Sequence, residues 1–184
     1  MSTLNLSESP KFTIRGFKKG DEASLQKYAD NQKVSVNLRN SFPYPFTLEH
    51  AASWIEMNTK SYQKPTNMAI TLNNEVIGSI GITLQTDIFK KSAELGYWLG
   101  EPFWNQGITT KAVREMIKYV FDNFKLVRIY AGVFEYNIAS MKVLEKAGFH
   151  KEAVHRNAMF KKGKVFDEHL FVIFKSNGGS ITSL

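Results

Sequence analysis

The stretch "GEPFWNQGITTKAVREMIKYVF", Gly100 to Phe121, carries the pattern that decides the fold. A polar turn around Gly107 runs straight into Ala112, Val113, Met116, Ile117, Val120 and Phe121, apolar residues at helical spacing, with Lys111, Arg114, Glu115 and Lys118 between them. The spacing predicts an amphipathic helix over Thr109–Phe124, with Thr109 or Thr110 as its cap. Gly107 permits a tight turn, and the first amides of such a helix have no partner within it. No acidic residue sits in the first turn, so this end attracts an anion by about 0.3–1 kcal/mol per favourable contact. The turn lacks the Gly-Lys-Ser/Thr of a P-loop and the three glycines of a dinucleotide fingerprint. Taken by itself it reads more readily as an ordinary loop glycine followed by capping threonines.

Outward from this point, Leu95, Tyr97 and Leu99 alternate with Glu94, Gly96 and Trp98, which predicts a strand leading into the turn. Before it, Met68, Ile70 and Leu72, the pair Asn73-Asn74, and Ile80, Ile82 and Leu84 read as a β-hairpin. After it come a strand at "RIYAGV", a helix at "NIASMKVLEKAG" with Asn137 as N-cap and Gly148 as its stop, a strand from Phe149 onward and a last strand near Val165–Phe174. Near the start, Phe12 and Ile14 mark a strand, Gly20-Asp21 opens a helix through Leu25 and Tyr28, and a second helix begins near Thr47. The loop "SFPYPF" between those helices carries Pro43 and Pro45, which exclude regular structure. This order predicts an α/β fold, a mixed hairpin-rich sheet flanked by helices.

With 184 residues and 43% hydrophobic content, the chain suits one compact domain, expected over residues 11–175, with flexible tails at 1–10 and 176–184. Neither a signal peptide nor a membrane-spanning run of about eighteen apolar residues is present, so a cytoplasmic protein is expected, with nuclear access if the source is eukaryotic. Zero cysteines exclude disulfides, thiolate metal sites and a cysteine nucleophile. The formal charge of +7 fits nucleic acid, an acidic protein surface or a polyphosphate ligand. The paired lysines Lys18-Lys19, Lys90-Lys91 and Lys161-Lys162 are dispersed, and no zinc-finger or RNP motif interleaves aromatics with them, so no specific nucleic acid is expected. The four histidines, His50, His150, His155 and His169, show no metal-ligand spacing, and no metal is expected.

The segments "AELGYWLGEPFWNQGITTKAV" and "YNIASMKVLEKAGF" resemble the GCN5-related N-acetyltransferase (GNAT) superfamily, and within it the ribosomal-protein, RimJ/RimL-like branch. "FTIRGF" and "PYPFTLEHAASWI" extend the resemblance over nearly the whole chain. It implies the acyl-CoA N-acyltransferase fold, with a mostly antiparallel central sheet, and acetyl-CoA as co-substrate. The family's Gln/Arg-x-x-Gly-x-Gly/Ala loop, which holds the pyrophosphate, matches Trp104–Thr109; Trp104 and Thr109 depart from that pattern, and Trp104 is common at its position in the RimJ/RimL branch. The implied cofactor contacts are Trp98, Leu99, Gln106, Gly107, Ile108, Thr109, Thr110, Asn137 and Ser140. Asn137 is the implied pantetheine contact and Ser140 a possible acid for the thiolate, although as residues both also read as plain helix caps.

Without cysteine, the acceptor amine is expected to attack the thioester directly and must first lose a proton. At pH 7 that costs about 4.6 kcal/mol for a lysine but only about 1–1.4 kcal/mol for an α-amine. Glu94, on the strand leading to the turn, is the candidate base, against the alternative of a solvent-facing glutamate. The loop "NLRNSFPYPFTLEH" lines an amine pocket through Asn37, Arg39 and Tyr44, or else forms a hydrophobic lid. The expected activity is acetyl transfer to a protein or peptide N-terminus. A small-molecule amine or polyamine acetyltransferase and a catalytically silent acyl-CoA binder remain alternatives, and the protein is expected as monomer or homodimer.

Overall fold

The computed structural model describes residues 11–59 and 64–175, so the two expected tails lie outside the described residues. A seven-stranded sheet runs in the order β1-β2-β3-β4-β5-β7-β6. Its strands are β1 (Thr13–Arg15), β2 (Asn67–Leu72), β3 (Glu75–Leu84), β4 (Ser92–Leu99), β5 (Arg128–Phe134), β6 (His150–Lys161) and β7 (Lys164–Phe174). Every neighbouring pair is antiparallel except β4 and β5, which run parallel. The helices are α1 (Glu22–Ala29), α2 (Gln32–Ser35), α3 (Leu48–Thr59), α4 (Ile108–Asn123) and α5 (Ile138–Ala147).

Local chemistry accounts for the boundaries. Asn73 and Asn74 hold φ of 50° and 66°, the left-handed pair that a two-residue hairpin between β2 and β3 requires. Asn137 caps α5 by accepting the Ser140 amide at 3.1 Å, and Gly148 stops it at φ 102°. The short helix α2 was not expected; Asn31 starts it by accepting the Lys33 amide at 2.8 Å. Two 3₁₀ turns, Asp87–Phe89 and Glu101–Phe103, flank β4.

The sheet separates two apolar clusters. On one face α1 and α3 bury Leu25, Ala29, Ala51 and Ile55 against Phe17, Phe46, Ala69 and Val76. On the other, α4 packs its expected stripe from Ala112 to Phe121, preceded by Ile108, together with Met141 and Leu144 of α5, onto Ile80, Ile82, Leu95 and Ile129. Each of the Val, Leu, Ile, Met and Phe side chains among them contributes about 1.5–3 kcal/mol on full burial. Because helices cover both faces, β3 is buried continuously from Val76 to Ile82; its alternation sorts side chains between two cores, not between core and water. Among the described residues no helix is long and apolar enough to cross a membrane.

Candidate active site

The parallel ladder between β4 and β5 comprises Ser92↔Arg128, Ala93↔Ile129 and Glu94↔Tyr130. Beyond Glu94, β4 stays paired to β3 as far as Leu99, and β5 stays paired to β7 as far as Phe134. The two strands therefore part at the middle of the sheet and leave two facing edges whose backbone groups need partners. A cleft of about 1420 Å³ fills this notch, with Leu95 to Leu99 on one wall and Ala131 to Phe134 on the other. Pockets that take a drug-sized ligand span roughly 300–1,000 Å³, so this cleft is larger than one such ligand requires.

The turn after β4 aims the start of α4 into this notch. The Gly100 amide donates to Ile77 O at 2.8 Å, and the Trp104 indole N–H donates to Leu99 O at 2.7 Å, which fixes the turn to the end of β4. Gly107, at φ 75°, is itself the N-cap of α4, and no side chain caps the helix. This corrects the expectation that Thr109 or Thr110 would do so: the left-handed glycine starts the helix at Ile108, and both threonines fall inside its first turn. Lys111 N–H is the first to bond back, to Gly107 O at 3.2 Å, so the earlier amides remain available to a ligand. Gly107, Ile108, Thr109 and Thr110 line the cleft, and the first turn holds no acid. An uncapped, acid-free helix end of this kind suits a phosphate. Gln106 turns back on its own loop, its side-chain amide donating to Pro102 O at 3.0 Å.

Across the notch, capping occupies the Asn137 carbonyl oxygen, and the residue also lines the cleft. Ser140 Oγ lies 2.8 Å from the Tyr97 hydroxyl, which also reaches Ser140 O at 3.3 Å. Burial raises the Tyr97 phenol above its ordinary pKa, and the hydrogen bond with Ser140 offsets this only in part. Tyr97 is thus held protonated beside the predicted acid. Sequence reasoning passed over it as a strand residue, although its place on the face of Leu95 and Leu99 was the available signal.

On the opposite face of β4, Glu94, Gly96 and Trp98 form the floor, and Gly96 adds open space, since a Cβ there would meet nothing within 4 Å. Glu94 accepts a hydrogen bond from the Arg39 guanidinium, an ion pair whose arginine is 73% exposed. The expected base and one expected acceptor contact therefore meet each other. Asn37 lines the cleft and donates to Lys33 O at 2.9 Å, whereas Tyr44, 49% exposed, does not line it. Phe42 packs edge-on against Trp98, with ring centroids 5.9 Å apart, and stacks on Phe46 at 5.0 Å, so the loop is an apolar wall as well as a polar one.

A second carboxylate on this floor escaped the sequence reading. Glu168 lines the cleft with Oε1 only 2.1 Å from where a Gly132 Cβ would stand, and its Oε2 lies 2.7 Å from His155 Nδ1. Only a glycine at position 132 admits that approach. Among the described residues no group of three or more His, Asp or Glu side chains gathers as metal ligands.

The acetyltransferase (GNAT) domain model matches residues 11–150. The uncharacterized N-acetyltransferase p20 of Bacillus licheniformis is 31% identical over 170 residues, covering 90% of this chain and 93% of its own. The probable N-acetyltransferase YjcK of Bacillus subtilis is 39% identical over 97 residues, a match spanning 53% of this chain and 53% of that one. Among solved structures, RimL, a ribosomal L7/L12 alpha-N-protein acetyltransferase in complex with coenzyme A, superposes with a TM-score of 0.77 at 20% identity, covering 89% of this chain and 93% of that one.

Proposed function

This chain belongs to the acetyltransferase (GNAT) family, and from that premise we propose that residues 11–175 form an N-acetyltransferase domain that acetylates a protein or peptide N-terminal α-amine. The observation that carries this reading is the notch between β4 and β5 opening beside the uncapped end of α4. It offers an anion cradle, strand edges for an amide-bearing arm and a floor of carboxylates, in that order across one cleft.

Acetyl-CoA fits this arrangement and, when bound, supplies an activated acetyl group as a thioester. Gly107 and the amides of Ile108, Thr109 and Thr110 hold its phosphates. Trp98, Leu99 and Asn137 accompany the pantetheine arm, and Gln106 braces the turn. Ser140 and Tyr97, one hydrogen-bonded pair, provide the proton for the departing thiolate. Glu94 receives the proton of the acceptor amine, and Asn37 and Arg39 form the acceptor wall beside it. An α-amine suits a base restrained by an arginine, because its deprotonation at pH 7 costs only about 1–1.4 kcal/mol against about 4.6 kcal/mol for a lysine. The likeness in fold to RimL, named for α-amine transfer, supports the same acceptor class.

The test is release of free CoA thiol from acetyl-CoA in the presence of peptides with free or blocked N-termini. Release with free N-termini alone is expected. Release only with polyamines or small amines transfers the site to those acceptors, and no release with any amine leaves an acyl-CoA binder.

A further inference from the structure

Lys161 lies near the tip of the β6–β7 hairpin, between Phe160 and Lys162, both exposed. It is only 6% exposed, which is uncommon for a lysine unless its ammonium finds a partner. That partner is the carbonyl of Leu38, 123 residues away in sequence, to which Lys161 Nζ donates. One residue earlier, Phe160 O accepts the Asn40 side-chain amide at 3.3 Å. Two consecutive residues of β6 thus grip the two residues that flank Arg39. A third tie comes from beyond β5, where the Tyr136 hydroxyl donates to Val36 O at 2.7 Å.

Arg39 itself has a long, largely exposed side chain, and an exposed ion pair ordinarily contributes little because both partners lose rotamer freedom. Here the backbone on either side of the arginine is fixed before the side chain reaches Glu94. We infer that Lys161 is a positioning residue of the acceptor site: through the Leu38 carbonyl it holds the segment from Val36 to Asn40 so that Arg39 meets Glu94 and sets the path by which the amine approaches. Burial, with Lys162 alongside, lowers the Lys161 pKa below the usual lysine value, in keeping with an ammonium engaged by a single carbonyl. The inference deepens the acceptor reading above and rests on it for its kinetic consequence, though not for the anchoring.

Two measurements test it. Lys161→Met keeps the aliphatic stem and removes the donor; amide exchange across residues 36–42 should quicken at least about tenfold while the amides of α4 and α5 keep their wild-type rates. Unchanged exchange at 36–42 overturns the anchoring, whether or not the chain transfers acetyl groups. In steady-state kinetics with a peptide acceptor, Lys161→Met and Arg39→Ala should each raise the acceptor KM by about tenfold and leave the acetyl-CoA KM within about twofold. The double variant should be no worse than Arg39→Ala alone, because both changes remove one device. Effects that multiply overturn the positioning role. Should Lys161→Met fail to fold, Asn40→Ala, at an exposed position, is expected to show the same exchange and KM signature, and wild-type behaviour there overturns the inference. Wild-type protein inactive on every amine strikes the functional reading, and the exchange measurement still decides this one.

Discussion

Ser140 Oγ and the Tyr97 hydroxyl lie 2.8 Å apart across the cleft, joining the first turn of α5 to the strand β4 that leads into the α4 turn. Two hydroxyls in series can pass a proton to a thiolate where either alone has to be ideally placed. Ser140→Ala and Tyr97→Phe should each lower kcat by about 100-fold, the lower end of the range ascribed to a positioned general acid, and leave the KM for acetyl-CoA within about twofold. The double variant should be no slower than the worse single one. A loss confined to the acetyl-CoA KM would reduce the pair to a binding contact.

The same tyrosine has a signature in stability. Its folded pKa is raised by burial above the unfolded value of about 10, so the folded state keeps a proton that the unfolded chain releases. Stability from this group is fully present below pH 10 and declines as pH rises beyond it. Tyr119, Tyr130 and Tyr136 are shifted the same way, so in urea melts Tyr97→Phe should flatten, without abolishing, the loss of stability expected above about pH 10. A variant whose alkaline slope matches wild type would contradict the burial of that hydroxyl.

At the anion cradle, Gly107→Asp places a carboxylate among the open amides of α4. Aspartate tolerates the left-handed backbone better than most residues, so folding should survive while binding suffers. Calorimetry should find the Kd for CoA raised at least about tenfold, or about 1.4 kcal/mol. Wild-type affinity would put the phosphates elsewhere.

Glu94→Gln keeps the side-chain shape, removes the base and leaves Arg39 without its anionic partner. Turnover on a peptide α-amine should fall most near neutral pH and recover towards pH 8–9 as the acceptor loses its own proton, whereas a lysine acceptor would delay recovery to roughly pH 10. A profile parallel to wild type across the range would remove Glu94 from proton transfer.

Much of this was legible because it is local. The asparagine cap and glycine stop of α5, the Asn73-Asn74 turn and the apolar stripe of α4 are each set by residues within a few positions of one another. The cap of α4 was misplaced because a glycine N-cap has no side chain to announce it, and two threonines stand two and three residues after it. The four-residue α2 is too short to carry a period. The pairs that give the site its chemistry, Tyr97 with Ser140, Arg39 with Glu94 and Glu168 over Gly132, join positions 43, 55 and 36 residues apart in chain order. Only the sheet order, with β7 inserted between β5 and β6, brings Glu168 beside Gly132.

The most direct measurement is made on a single peptide that carries both a free N-terminus and an internal lysine, incubated with the protein and acetyl-CoA and then fragmented in a mass spectrometer. The account predicts one acetyl group, on the α-nitrogen, formed only when enzyme and acetyl-CoA are both present. An acetyl group on the lysine side chain, or an unmodified peptide while CoA still binds, would contradict it.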